Sequence, residues 1–191
     1  MVFITADTHG ELERLADKKL KYIKKYDTVI VLGDFGFVWD GSARQDRNLK
    51  KIAKLPFRVL FIDGYNENFT ALEKYPDTVY HGAQAKEICP GQVYYIKRGE
   101  ILEIEDMKLL CFGGADDYIP DIFSDNPPRQ EDFDRCTANL ESFVTGNLLD
   151  YFDEINHKTE YKKWYFGMYH KDKYISSKAQ AVYTEMYQLG R

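Results

Sequence analysis

The chain has 191 residues, a formal charge of −5, 44% hydrophobic residues and 15% aromatic residues. That composition excludes a disordered polymer and supplies core for one domain over residues 1–191. Acids and bases are interspersed, so nucleic-acid binding is not indicated; Lys18-Lys19 and Lys24-Lys25 read as the solvated face of a helix.

Val2-Phe3-Ile4 is a short apolar run ended by Asp7 and Gly10, the signature of a buried strand. Residues 11–25 place Leu12, Leu15, Leu20 and Ile23 near helical spacing and predict a helix. Thr28 to Leu32 predicts a second strand, Arg44 to Leu55 a charged helix stopped by Pro56, and Arg58 to Ile62 a third strand. Strand alternating with helix in such short units implies a parallel sheet with right-handed crossovers. A short helix is expected from Asn68 to Tyr75. Strands follow at Gln92 to Ile96, Glu100 to Ile104 and Lys108 to Phe112, the last two forming a hairpin through Glu105-Asp106-Met107. Residues 116–129, with three prolines and four aspartates, read as a surface loop. Helices are expected over Glu131 to Phe143 and Leu148 to Ile155. Strands are expected at Lys163 to Phe166, Lys173 to Ile175 and Ala179 to Leu189.

Cys89, Cys111 and Cys136 are far apart and odd in number, which fits neither a disulfide framework nor a C-x-x-C metal site. No apolar run approaches the ~20 residues of a membrane span. The five-residue apolar start is too short for a signal peptide. A cytoplasmic protein without membrane contact is expected.

In a parallel sheet, the loops at the carboxyl ends of the strands converge on one crevice. That brings Asp7, His9, Asp34 and Asn66 towards a common place. Four loops carry the Asp, His and Gly residues concerned: Asp7-Thr8-His9-Gly10, Gly33-Asp34-Phe35-Gly36, Gly64-Tyr65-Asn66-Glu67 and Gly167-Met168-Tyr169-His170. Together they resemble the calcineurin-like metallophosphoesterase family, whose loops read D-x-H, G-D, G-N-H-[DE] and G-H-x-H. The resemblance covers Met1 to Ile175, and it implies an α/β fold: a two-sheet sandwich flanked by helices.

It also implies a phosphoester hydrolase scaffold with two divalent metals ~3.5–4 Å apart. Carried over residue by residue, one metal position is complete: Asp7, His9, Asp34 and His170. The second is not. Tyr65 stands where the family has Asn, Met168 replaces the first His of the late motif, and no strand ending in His lies between Glu131 and Lys163. A neutral phenol and a thioether are poor ligands for such metals. Asn66 takes the place of the His that faces the phosphate, so no catalytic residue is assigned there.

The resemblance thus implies one divalent ion (Mn, Fe or Zn), no second metal, a phosphoester or phosphate ligand, and weak activity or none. The alternative is a non-catalytic pseudoenzyme binding a metal, a phosphate-bearing ligand or a protein partner. On a third reading Asp7, His9, Asp34 and His170 are relics that satisfy loop backbone donors. Asn66 is open to two roles, an amide ligand one position late or a turn residue. Tyr65 and Met168 are expected to fill the vacated position by bulk. His81 and His157 read as surface histidines, His157 being a weak candidate to replace the lost ligand. If the family's strand between Glu131 and Lys163 is shortened here, it leaves an uncovered sheet edge, from which a homodimer or a local rearrangement around residues 140–170 is expected, with Leu148, Leu149, Tyr151 and Phe152 exposed in a monomer.

Overall fold

In a computed structural model of the protein, the residues described are 1–114, 130–132, 134, 135 and 148–190, with side chains in the last stretch from Phe152 onward. The chain begins β1 (Val2–Ala6), α1 (Glu13–Ala16), β2 (Thr28–Leu32), α2 (Ala43–Ile52), β3 (Arg58–Ile62) and α3 (Phe69–Leu72). It continues with β4 (Asp77–Tyr80), β5 (Ala83–Cys89), β6 (Val93–Ile96), β7 (Glu100–Ile104) and β8 (Met107–Cys111). After these come α4 (Leu148–Lys158), β9 (Trp164–Phe166), β10 (Lys173–Tyr174), β11 (Ala179–Ala181) and β12 (Tyr187–Gln188). The fold is mixed α/β, with more strand than helix among the described residues. No described helix is long and apolar enough to cross a membrane.

Seven strands form one sheet in the order β12-β1-β2-β3-β6-β5-β4. Its centre, β1 to β2 to β3 to β6, is parallel; β12, β5 and β4 pair antiparallel at the flanks. The runs VFITA and TVIVL are buried at every position, as expected of parallel strands covered on both faces. One face carries Phe3, Val29, Val31, Val59, Phe61 and Tyr95 and packs on Leu15, Leu49 and Leu72 of the helices. The other carries Ile4, Ile30, Leu60, Ala85 and Ile96 and packs on Leu102, Ile104 and Cys111 of the β7–β8 hairpin and on Val182. A three-stranded sheet, β10-β11-β9, is separate.

The first three strands, α2, α4 and the β7–β8 hairpin lie where the sequence predicts them. The expected helix over residues 11–25 is broken instead. Asp17 is extended (φ −64°, ψ 138°), and its carboxylate accepts from the Lys19 N–H at 2.7 Å, starting a separate 3-10 turn over Lys18–Tyr22. A side chain that caps locally competes with helix continuation. β4 and β5 have no counterpart in the sequence reading. The Ala, Gln, Lys and Glu residues of β5 are weak strand formers, and burial of Ala83 and Ala85 with Tyr80 and Tyr94 holds it in the sheet; β4, Asp-Thr-Val-Tyr, carries strand formers but is only four residues long and partly exposed. The single strand expected over Ala179 to Leu189 is two strands, β11 and β12, in different sheets. Asp172 accepts N–H groups from Tyr183, Thr184 and Glu185 between them, at 2.8, 2.9 and 3.2 Å. The predicted loop at 116–129 and most of the helix over Glu131 to Phe143 lie outside the described residues, as do Cys136 and the side chains of Leu148, Leu149 and Tyr151. Phe152 is half-buried, edge-on to Phe112 at 5.7 Å and to Trp164 at 5.1 Å.

Candidate metal centre

The loops after β1, β2 and β3 do not splay apart at the sheet edge; they extend its hydrogen-bond ladder. The Asp7 N–H donates to Leu32 O at 3.3 Å, His9 N–H to Asp34 O at 2.9 Å, and Gly10 N–H to Phe35 O at 3.0 Å. Gly33 N–H in turn donates to Ile62 O at 3.2 Å. The carboxyl ends of three parallel strands therefore hold Asp7, His9, Asp34 and Asn66 side by side. The loop after β9 arrives from the other sheet. Its Met168 N–H donates to Asp7 Oδ2 at 2.8 Å and brings His170 over His9.

Close approach demands glycine at several points, Gly64 and Gly167 among them. A Cβ on Gly64 would lie 2.1 Å from Asp34 N and Oδ1, and one on Gly167 would lie 2.5 Å from Leu32 O and 3.0 Å from Asp7 Oδ2. All four predicted ligand residues have left-handed backbones: φ is 46° at Asp7, 49° at His9, 26° at Asp34 and 47° at His170. Non-glycine residues held there cost about 1–3 kcal/mol each and cluster at functional sites.

Asp7 and Asp34 are buried, 2% and 7% exposed, while His9 and His170 line the open side. His9 Nε2 lies 3.1 Å from His170 Nε2, and His9 Nδ1 lies 3.7 Å from Asp34 Oδ2. Burial pushes the Asp7 carboxyl above the ordinary aspartate range, and Asp34 pushes the same way; the Met168 N–H and the two imidazoles pull against them. Among the described residues neither carboxylate forms an ion pair with lysine or arginine.

Two imidazoles and two carboxylates suit a borderline divalent ion by donor type. The imidazole pair also suits it by spacing, since two nitrogens at ~2.0–2.1 Å from one ion stand ~2.9–3.4 Å apart. As the side chains stand, no three His, Cys, Asp or Glu residues among those described converge into a closed metal cluster. Both Asp34 oxygens are engaged by Asn66, Oδ1 by its backbone N–H at 2.9 Å and Oδ2 by its carboxamide at 2.8 Å. Of the four, only the two imidazole nitrogens stand at a spacing compatible with one shared ion.

Asn66 is thus held against Asp34 by two hydrogen bonds. Met168 is 61% exposed and does not fill the site by bulk. His81 and His157 are exposed; His157 lies on α4 against Asp153.

Supporting residues that the sequence reading passes over surround the four. Arg14 donates to the backbone oxygens of Ala6, Asp7 and Tyr183, and its guanidinium lies 5.0 Å from the Tyr183 ring centre. Tyr183 stacks on His170 at 4.8 Å, so one arginine ties the first loop to the last. Glu67 is buried, and burial pushes its carboxyl well above the ordinary glutamate range; one oxygen accepts the Phe35 N–H at 2.6 Å beside Asp34. For Glu67 the motif position was the signal available; for Arg14 and Tyr183 there was none.

Fold and site together define a mixed α/β protein with a candidate metal centre at its strand ends. No protein-family model matches the chain, and neither the curated proteins nor the solved structures contain a match.

Proposed function

We propose that the chain is a metallophosphoesterase-like protein that holds one divalent ion at Asp7, His9, Asp34 and His170 and binds a phosphate-bearing ligand there, with weak phosphoester hydrolysis or none. On this reading the seven-stranded sheet and the smaller sheets packed near it correspond to the family's two-sheet sandwich. The observation that carries the proposal is Asn66. Its backbone N–H and carboxamide occupy both oxygens of Asp34, the carboxylate that bridges two metals in the family.

A divalent ion supplies charge neutralisation for phosphoryl oxygens. The chain's own residues then do the remainder: two buried carboxylates fix the charge, and two imidazoles orient on the open side. A carboxamide at position 66 cannot give up a proton as an imidazolium does, and a positioned acid is typically worth ~10²–10⁴ in rate. This favours very slow turnover, and it equally supports the second reading, a binding protein on the same scaffold.

The test is hydrolysis of a generic aryl phosphate and a phosphodiester with added Mn²⁺, against an Asp34→Asn control. Slow turnover lost in the control supports the hydrolase; no turnover alongside retained Mn²⁺ binding supports the binding protein. Rapid turnover abolished by Asp34→Asn contradicts the proposal.

A further inference from the structure

Beside the candidate metal centre opens a cavity of about 420 Å³, within the ~300–1,000 Å³ range of small-ligand sites. Its lining runs from His9, Asp34 and Asn66 to Phe37, Trp39 and Arg44. The metal centre has no use for the last three.

Trp39 is a large aromatic left 39% exposed, on a backbone that is held rigidly. The Gln45 carboxamide oxygen accepts the N–H groups of Trp39, Asp40 and Gly41 at 2.6, 3.0 and 3.1 Å, and the Asn68 carboxamide donates to the Trp39 carbonyl. An indole presented to a cavity from a pinned loop is a preformed contact face, whose use costs little further ordering. Arg44 is exposed on the first turn of α2, close enough to Asp40 to add to the Ser42 hydrogen bonds that hold that carboxyl below the ordinary aspartate range. Its planar fork of donors matches phosphate. The other charged side chains in the lining, Asp34 and Asp40, make the cavity net negative until a divalent ion sits at Asp34. An anion therefore belongs here together with the ion, and the inference rests on the metal-centre reading.

We infer that this cavity takes a small phosphate ester carrying a flat aromatic ring, of nucleoside-monophosphate size, with the phosphate towards the metal centre and Arg44 and the ring against Trp39. Base–aromatic contact and an arginine–phosphate pair are each worth roughly tenfold or more in affinity.

The test is calorimetric titration of the full chain, saturated with Mn²⁺, with AMP, phenyl phosphate, ribose 5-phosphate and inorganic phosphate. AMP and phenyl phosphate are expected to bind at least tenfold more tightly than the other two. Trp39→Ala should bring AMP down to the level of inorganic phosphate while leaving inorganic phosphate unchanged. Trp39→Phe, which keeps an aromatic face, should retain most of the difference, and Arg44→Ala should weaken all four ligands. Equal affinity for AMP and inorganic phosphate, or AMP binding indifferent to Trp39→Ala, overturns the inference. Mn²⁺ uptake is read separately by electron paramagnetic resonance. A chain that takes up no Mn²⁺ overturns the metal reading, whereas uptake without AMP preference overturns the ligand assignment alone.

Discussion

Asn66 grips Asp34 with both of its donors, the carboxamide at 2.8 Å from Oδ2 and the backbone N–H at 2.9 Å from Oδ1. Position 66 therefore lies against a carboxylate of the candidate metal centre. Asn66→His puts a proton donor there, and aryl phosphate hydrolysis with Mn²⁺ is expected to rise above the wild-type rate, with a ceiling of ~10²–10⁴. An unchanged rate in a folded variant would show that more than the acid has been lost.

Gly64 makes the contact between the third loop and Asp34 possible, its pro-Cβ position being 2.1 Å from Asp34 N and Oδ1. Gly64→Ala forces the two loops apart. Mn²⁺ affinity is expected to fall at least tenfold and the melting temperature to drop, since a misplaced carboxylate loses the ion and its Asn66 bonds together. If the substitution leaves calorimetric Mn²⁺ binding intact, Asp34 is not a ligand.

Beneath the site, Asp63 and Arg98 are 1% and 3% exposed and meet at 2.7 Å, with the Tyr95 hydroxyl donating to Asp63 at 2.9 Å. Breaking a buried pair from one side leaves an uncompensated charge and typically costs about 3–5 kcal/mol. Arg98→Met should destabilise the chain by that order in urea unfolding. The double variant with Asp63→Asn should cost clearly less than the two single effects added. Simple additivity would mean that the pair is not coupled.

Burial pushes the Cys111 thiol up to about 12. A thiol whose folded value exceeds its unfolded value of ~8.5 favours folding in full below that pH, and the advantage is lost as pH rises from there towards the folded value. Unfolding free energy should therefore decline above about pH 9, with Cys111 contributing up to about 1.4 kcal/mol per pH unit, and Cys111→Ala should flatten the decline. In the native state Cys111 should also resist iodoacetamide at pH 8, read by mass spectrometry. Rapid labelling would contradict its burial.

The parts of the fold that were legible in the sequence are those where local pattern and tertiary burial agree. VFITA, TVIVL and RVLFI are mostly apolar because they lie at the centre of a parallel sheet, and each is followed by the Asp or Gly that begins a site loop. β5 was not legible, since only cross-strand burial makes a strand of its alanines and charges, and β4, with strand formers Thr78, Val79 and Tyr80, was passed over because a four-residue run after Pro76 gives too short a pattern. The convergence of Asp7, His9 and Asp34 followed from strand direction alone. The approach of His170 came through resemblance, because β9 belongs to another sheet and no period in the sequence relates it to β1. Arg14 and Tyr183 were invisible for the same reason: their contacts span 169 positions, and nothing local marks them. The exposure of Met168 was not legible either, because residue type does not disclose how a loop leaves a side chain.

The proposed site holds one ion on four side chains. Its most direct measurement is anomalous scattering from crystals grown with Mn²⁺, paired with metal content per chain by elemental analysis. One Mn²⁺ per chain is predicted, beside Asp7, His9, Asp34 and His170, and absent in His170→Ala. Two ions ~3.5–4 Å apart, or a chain free of metal, would contradict the account.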